Sequence, residues 1–345
     1  MKKTHINNKG DYVITSGVFN NGILGKSDIN AKLFSENTIT VDMFGYVFYR
    51  KFKYKMVTHA RVFNLVPKFD ITDRQGNFLV SSLHFLKHLF GYENMCSWAK
   101  IKDLKILLPK KEKFIDFDFM DSFIAELEAE RIAELSAYLK VSGLDNYKLS
   151  DEELKALRDY DSMEWREIPL DDIFEVSTYK KRFDANKVEL VDNGGNPYVV
   201  RTSTNNGIRG FIKEDITYLN DGNTISFGQD TATAFYQEQP YFTGDKIKIL
   251  KSKIKGFNKK NAQFFVTSIA RSFSKFSWGN SSYSVEIIKN QKLSLPIKNE
   301  KIDIKYLEIF TKAISKLIIK DVVQYADKRI EATKDVVSSN KKTKT

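Results

Sequence analysis

Asn20-Asn21-Gly22-Ile23-Leu24-Gly25 returns 185 residues later as Asn205-Asn206-Gly207-Ile208-Arg209-Gly210, and this recurrence decides the fold. Working outward, Tyr12-Val13 has its counterpart in Tyr198-Val199, and Asn37-Thr38-Ile39-Thr40 in Asn223-Thr224-Ile225-Ser226, at an offset of 186. Farther on, Phe48-Tyr49 matches Phe235-Tyr236, and Lys105-Ile106-Leu107-Leu108-Pro109 matches Lys292-Leu293-Ser294-Leu295-Pro296, at 187. So constant an offset marks two copies of one structural unit. Short β-branched and aromatic runs, Thr38 to Val41, Val62 to Val66 and Lys246 to Leu250, alternate with Asn-Gly and Asp-Gly turns. That pattern predicts strands, so each copy reads as a β-rich domain.

After each copy the period changes. Phe117, Met120, Ile124, Leu127, Leu135 and Tyr138 largely keep the three-four spacing of an amphipathic helix over 115–140. Ile304, Leu307, Phe310, Ile314, Leu317, Ile318 and Tyr325 mark a second helix. The chain therefore divides into a first domain (1–111), a helix (112–140), a linker with one short helix (141–161), a second domain (162–298), a second long helix (299–338) and a disordered tail (339–345). The fold class is α+β, two β-rich domains alternating with two long helices. The second copy opens on Trp165-Arg166-Glu167-Ile168-Pro169-Leu170-Asp171-Asp172-Ile173-Phe174-Glu175-Val176. The equivalent lead-in of the first copy would fall before residue 1, so the first domain reads as N-terminally incomplete.

The 345 residues are 42% hydrophobic and 29% charged, a composition that buries a core and excludes disordered and collagen-like classes. No run approaches the ~18 apolar residues of a membrane span, and no apolar stretch behind the N-terminal lysines makes a signal peptide, so the reading is cytoplasmic. Cys96 is the single cysteine and closes no intramolecular disulfide. With 55 Lys and Arg against 44 Asp and Glu, the net charge of +11 favours a polyanionic partner.

The sequence carries no complete catalytic motif. Gly22-Ile23-Leu24-Gly25-Lys26-Ser27 resembles a phosphate loop, but Asn20 stands where the first glycine is required. His84 and His88 stand four apart without a third ligand nearby, so no metal site is expected. There is no Gly-x-Ser-x-Gly elbow and no Asn-Pro-Pro-aromatic methyltransferase loop.

Polar and basic loops remain as the candidate DNA-binding set. In the first copy it comprises Asn20, Asn21, Lys26, Arg50, Lys51, Lys53, Lys55 and Arg61; in Tyr46 to Lys55 cations alternate with aromatics, as on a phosphate-contacting edge. A lysine-protected edge strand explains that pattern equally well. In the second copy the set comprises Arg201, Thr204, Asn205, Asn206, Arg209, Gln229, Thr231 and Lys246. Arg reads guanine and Asn or Gln reads adenine bidentately, yet Asn-Asn-Gly also supplies positive φ for a turn, and both readings stand.

With these features in place, the chain resembles the specificity subunit of a type I, or related type IIB, restriction-modification system. The resemblance rests on the Trp165 to Val176 lead-in, the loop ending in Asn205 to Gly210, Asp221-Gly222-Asn223-Thr224-Ile225-Ser226-Phe227, and Lys292 to Pro296 before a long helix. It implies two target recognition domains, each reading half of a bipartite double-stranded DNA sequence, and two helices packed as an antiparallel coiled coil. It also implies docking of DNA adenine methyltransferase subunits on those helices, with a restriction subunit where present. Such a chain is not an enzyme and holds no cofactor; S-adenosylmethionine, Mg2+ and ATP belong to its partners. A 26-residue helix is roughly 39 Å long, close to one duplex turn of ~34 Å, which fits half-sites separated by an unread spacer. A protein-interaction scaffold with incidental basic charge is the competing reading, and steep salt dependence of DNA affinity separates the two.

Overall fold

The computed structural model describes residues 3–57, 59, 61–274 and 284–342, with side chains of the last helix described to residue 332. It divides into two compact units, Met1–Tyr138 with Ala326–Thr345, and Leu139–Tyr325.

In the first unit β1 (Asp11–Ile14) pairs antiparallel with β2 (Ile23–Ser27), and β3 (Thr38–Val41) pairs antiparallel with β4 (Val47–Arg50). β5 (Tyr54–Met56) lies parallel to β1, and β6 (Phe63–Leu65) runs antiparallel to β3. Helices α1 (Asp73–Ser82), α2 (Leu86–Leu89) and α3 (Trp98–Ile101) follow, then the ribbon β7 (Lys110–Lys111) and β8 (Phe114–Ile115), then the long helix α4 (Phe117–Val141).

The second unit begins with α5 (Asp151–Asp159) and the lead-in, folded as β9 (Trp165–Pro169), α6 (Leu170–Ile173) and β10 (Phe174–Thr178). Then come β11 (Asn196–Val199), β12 (Ile208–Ile212), β13 (Thr224–Gly228), β14 (Thr233–Gln237), β15 (Phe242–Thr243) and β16 (Ile247–Ser252). Helices α7 (Lys259–Ser272) and α8 (Val285–Asn290), strands β17 (Lys292–Lys298) and β18 (Lys301–Ile302), and the long helix α9 (Ile304–Lys342) complete the chain.

The repeat holds strand by strand. The order β2-β1-β5 becomes β12-β11-β15, with the same parallel pair, and the ladder is irregular at Val13/Ile14 and again at Tyr198/Val199. The order β4-β3-β6 becomes β14-β13-β16, extended by β10 on β16. β3 and β13 are central and buried throughout, so their hydroxyls must find partners inside. Thr40 Oγ1 donates to the Phe48 carbonyl and Ser226 Oγ to that of Phe235; Thr38 Oγ1 meets Tyr54 Oη at 2.9 Å and Thr224 Oγ1 meets Tyr241 Oη at 3.1 Å.

Each copy also carries a packed helix, α1 or α7, that a purely β-rich reading omits. Their starts are written in capping boxes: Thr72 with Gln75, and Asn258 with Asn261. The box residues then reach the following long helix. Gln75 Nε2 and Thr72 Oγ1 donate to Asp121 of α4, and Asn261 Nδ2 and Asn258 Nδ2 donate to Glu308 of α9. Met120 and Leu307, beside those carboxylates, are fully buried. Each helix is thus pinned to its own domain by one apolar plug and one carboxylate.

Three expectations change. α9 runs to Lys342, so residues 339–342 belong to a helix instead of a disordered tail. Its C-terminal part, from Ala326, belongs to the first unit, so the compact units are not consecutive pieces of chain. Residues 105–109, the counterpart of β17, lie in no strand: β17 pairs with β9, and the first unit has no described strand in the place of β9. The linker contains its expected helix, α5, capped by Ser150 and Glu153. Cys96 is buried, and burial with the nearby Asp42 pushes its thiol up to about 11.

Candidate nucleic-acid interface

The Asn-Asn-Gly loops lie at equivalent turns, between β1 and β2 in the first copy and between β11 and β12 in the second. Asn20, Asn21 and Gly22 adopt φ of 46°, 51° and 69°, and Asn205, Asn206 and Gly207 adopt 48°, 54° and 76°. Three consecutive left-handed residues need the side chains that tolerate that region, which explains the motif on backbone grounds. A Cβ on Gly22 would stand 2.8 Å from the Thr15 carbonyl. Asn20 Nδ2 caps its own turn through the Ile23 carbonyl at 3.2 Å, and Asn205 Nδ2 does the same to Ile208 at 2.8 Å.

Both loops are clamped from below. Arg50 donates through Nε to Thr40 Oγ1 at 2.9 Å and through a terminal nitrogen to the Asn21 carbonyl at 2.8 Å. In the second unit Gln237 Nε2 donates to Ser226 Oγ and to the Asn206 carbonyl, both at 3.0 Å. Arg50 is only 2% exposed, and burial pulls its pKa down to about 10, leaving it a cation at neutral pH. The placement of Arg50 on a DNA-contacting edge is therefore corrected: it holds a loop from inside. Lys55 is corrected likewise, being buried with its Nζ 3.0 Å from the Ser27 carbonyl and 3.3 Å from Asp11. Both were misread because cations on a short strand pair look alike whether they face out or in.

The other first-unit candidates reach the surface to different degrees. Lys51, Lys53, Asn20, Asn21 and Arg61 are exposed; Arg61 donates to Met95 Sδ, and Lys26 is half-buried with Nζ 4.6 Å above the Tyr12 ring. Phe19, 91% exposed beside Asn20, was missed. Its signal was legible as an aromatic residue directly before a rigid turn, a position suited to stacking on a base.

In the second unit the fold gathers residues remote in sequence. Arg201, after β11, forms an ion pair with Asp230 and lies 3.9 Å from Asp245; Lys246 Nζ donates to Asp230 at 2.9 Å, and Arg182 stands 3.6 Å from Asp245. The Gln229 N–H donates to the Lys246 carbonyl at 2.9 Å, and Thr231 Oγ1 meets Thr233 Oγ1 at 2.8 Å. Thr204, Asn206 and Arg209 are exposed on the neighbouring loop and strand. Three cations around two carboxylates leave one net positive charge in an ordered lattice of donors and acceptors. Asp230 reads from the sequence only as part of the polar loop Gln229-Asp230-Thr231, and Arg182 and Asp245 were missed, since nothing local announces a contact between positions 182, 230 and 245. Among the described residues no group of three His, Cys, Asp or Glu is placed to hold a metal, and no helix is long and apolar enough to cross a membrane.

Residues 1–137 and 163–324 match the family described as type I restriction modification DNA specificity domain. The chain belongs to that family. As a type I specificity-domain protein it carries the domain twice, and the two matched segments coincide with the two copies of the repeat. It is 24% identical over 248 residues to the type II restriction enzyme BgcI specificity subunit S.BcgI of Heyndrickxia coagulans, covering 71% of this chain and 68% of that protein. Its fold is similar to the crystal structure of the type I restriction-modification S subunit from M. genitalium, with a TM-score of 0.52 and 16% identity over 98% of this chain and 90% of that one.

Proposed function

We propose that this specificity-domain protein is the subunit that selects the DNA target of a restriction-modification complex, each domain reading one half of a bipartite sequence. The observation that carries this is the pair of clamped loops: the same backbone device is built twice, by Arg50 and by Gln237, under different surfaces. A conserved scaffold with divergent exposed side chains is what two unlike half-sites require. In the second domain Arg201, Arg209, Asn206, Gln229, Thr231 and Lys246 present donors, and Asp230 and Asp245 present acceptors able to receive a cytosine amine. In the first, Lys51, Lys53 and Arg61 supply phosphate contacts and the loop with Phe19, Asn20 and Asn21 the base-facing tip.

The two long helices serve as the spacer, paired antiparallel as a coiled coil. In support, each compact unit contains the start of one long helix and the end of the other, and Arg329 of α9 donates to Glu128 of α4 at 2.8 Å within the first unit. Leu317, Ile318, Val322 and Tyr325 of α9 are exposed and supply an apolar patch for docking DNA adenine methyltransferase subunits. A restriction subunit joins where the system has one. S-adenosylmethionine, Mg2+ and ATP are bound by those partners, in the cytoplasm. Co-expression with a candidate DNA adenine methyltransferase subunit, pull-down of random duplex DNA and sequencing of the bound pool tests the reading. A two-part motif with a fixed gap is expected; one continuous short motif would overturn it.

A further inference from the structure

Three turns of the second unit, drawn from both of its larger sheets, meet around one arginine. Arg201 follows β11, Asp230 lies in the turn between β13 and β14, and Asp245 in the turn between β15 and β16. Arg201 Nη1 donates to Asp230 Oδ2, which also accepts from Lys246 Nζ at 2.9 Å. Arg201 Nη2 stands 3.9 Å from Asp245 Oδ2, and the other oxygen of Asp245 is 3.6 Å from Arg182. The arginine stem is confined too, since a Cβ on Gly228 would stand 3.6 Å from Arg201 Cγ. Among the described residues Arg201 Nε and Nη2 make no hydrogen bond. These two nitrogens share one edge of the planar guanidinium, so that edge keeps two parallel N–H donors on an exposed residue.

The first unit ties the equivalent turns in another way. Asp42, in the turn between β3 and β4, accepts the Gly17 N–H on Oδ2 at 2.6 Å and the Phe44 and Tyr46 N–H groups on Oδ1, both at 2.9 Å. Asp42 is buried and these partners are backbone, so its carboxylate orders the loops and presents no side chain. In the second unit the tie is made to a side chain at the surface. Ion pairs as exposed as these add little to stability, and two carboxylates on a face that meets a polyanion repel its phosphates. What they supply is direction, because Asp230 and Asp245 hold a long, flexible side chain in one place. A guanidinium flanked by two carboxylates makes a poor phosphate clamp. The N7 and O6 of guanine, in contrast, are neutral acceptors that require two N–H groups aimed along fixed lines.

Given the DNA-reading role on which this rests, we propose that Arg201 reads a guanine in the half-site of the second domain, with Asp230 and Asp245 as positioning residues that aim its guanidinium. The Nε and Nη2 edge of Arg201 donates to guanine O6 and N7 in the major groove. Lys246 and Arg182 hold the two carboxylates from their far sides. The first domain has no such device at the equivalent turns, so the guanine belongs to one half-site only.

The test is selection from random duplex DNA by the full-length chain, co-expressed with a candidate DNA adenine methyltransferase subunit, and sequencing of the pools bound by the parent, Arg201→Lys and Asp230→Asn. The parent is expected to enrich a two-part motif with a guanine fixed in one half. Arg201→Lys keeps the charge and loses the fork, and is expected to lower the preference for that guanine about tenfold with the rest of the motif unchanged. Asp230→Asn is expected to lower the same preference about fivefold while raising affinity for random duplex and leaving thermal unfolding unchanged, a combination that a merely structural role does not produce. A uniform loss over all sequences in Arg201→Lys would make Arg201 a phosphate contact, and a change confined to a different base pair in Asp230→Asn would make Asp230 a reader in its own right. Either result overturns the proposal, as does a guanine preference that either variant leaves untouched. Absence of any two-part motif in the parent would overturn the functional reading, and the proposal with it.

Discussion

Gln237 occupies in the second domain the place that Arg50 occupies in the first, each donating to the central carbonyl of an Asn-Asn-Gly turn, at 3.0 and 2.8 Å, and each to a strand hydroxyl. A neutral amide and a guanidinium do one job because the job is donation along two fixed directions. The guanidinium does it at a desolvation cost that the amide avoids.

Arg50→Ala is expected to cost about 1–3 kcal/mol of stability, since it strands the Asn21 carbonyl and leaves a cavity. Arg50→Gln, which transplants the solution of the second domain, is expected to lose less. Urea denaturation of the three proteins checks the order; equal stability of Arg50→Ala and the parent would contradict the clamp.

Arg201→Ala is expected to lower DNA affinity by about 1–3 kcal/mol and to relax selectivity at one base pair, with the other half-site unchanged. Lys53→Ala is expected to weaken all sequences alike and to reduce the slope of log affinity against log salt by about 1. Binding measured on a panel of single-base variants at several salt concentrations distinguishes the two.

Asn261 is buried between the Gly256 carbonyl and Glu308 while closing the capping box of α7. Asn261→Ala removes all of these at once, for an expected loss of about 1–3 kcal/mol. Glu308→Gln keeps an acceptor and is expected to lose less. Chemical denaturation followed by circular dichroism reads both.

Glu153 ties α5 to α9, with Lys316 Nζ at 2.8 Å and Lys312 at 3.4 Å. Burial alone would raise its pKa, but the Lys316 hydrogen bond, the Ser150 N–H and the two cations lower it below its ordinary value. A carboxylate with a depressed folded pKa stabilises fully above its unfolded value near 4.3, and that contribution is lost as pH falls through the folded value. Melting temperature is expected to fall below about pH 4.3 in the parent, and more shallowly in Glu153→Gln.

The sequence by itself determined the doubling, the strands, the two long helices and the linker helix, because turn chemistry and hydrophobic period act over a few residues. Asn20 and Asn21 announce left-handed backbone wherever they are placed, and Met120 and Leu307 fall on an apolar face by spacing alone. Even α1 and α7 were legible in their capping boxes, Thr72 with Gln75 and Asn258 with Asn261. Tertiary structure alone decided which cations face solvent. Arg50 and Lys53 stand three residues apart in one basic stretch, and only the strand packed opposite makes the first a buried clamp and leaves the second exposed. It alone assembled Arg182, Arg201, Asp230, Asp245 and Lys246, since an ion pair depends on distance in space, which loop geometry sets. It also decided that 105–109 lies outside the described strands while Lys292–Lys298 becomes one against β9: a β-strand is completed by the hydrogen bonds of its neighbour, and its own residues do not supply them.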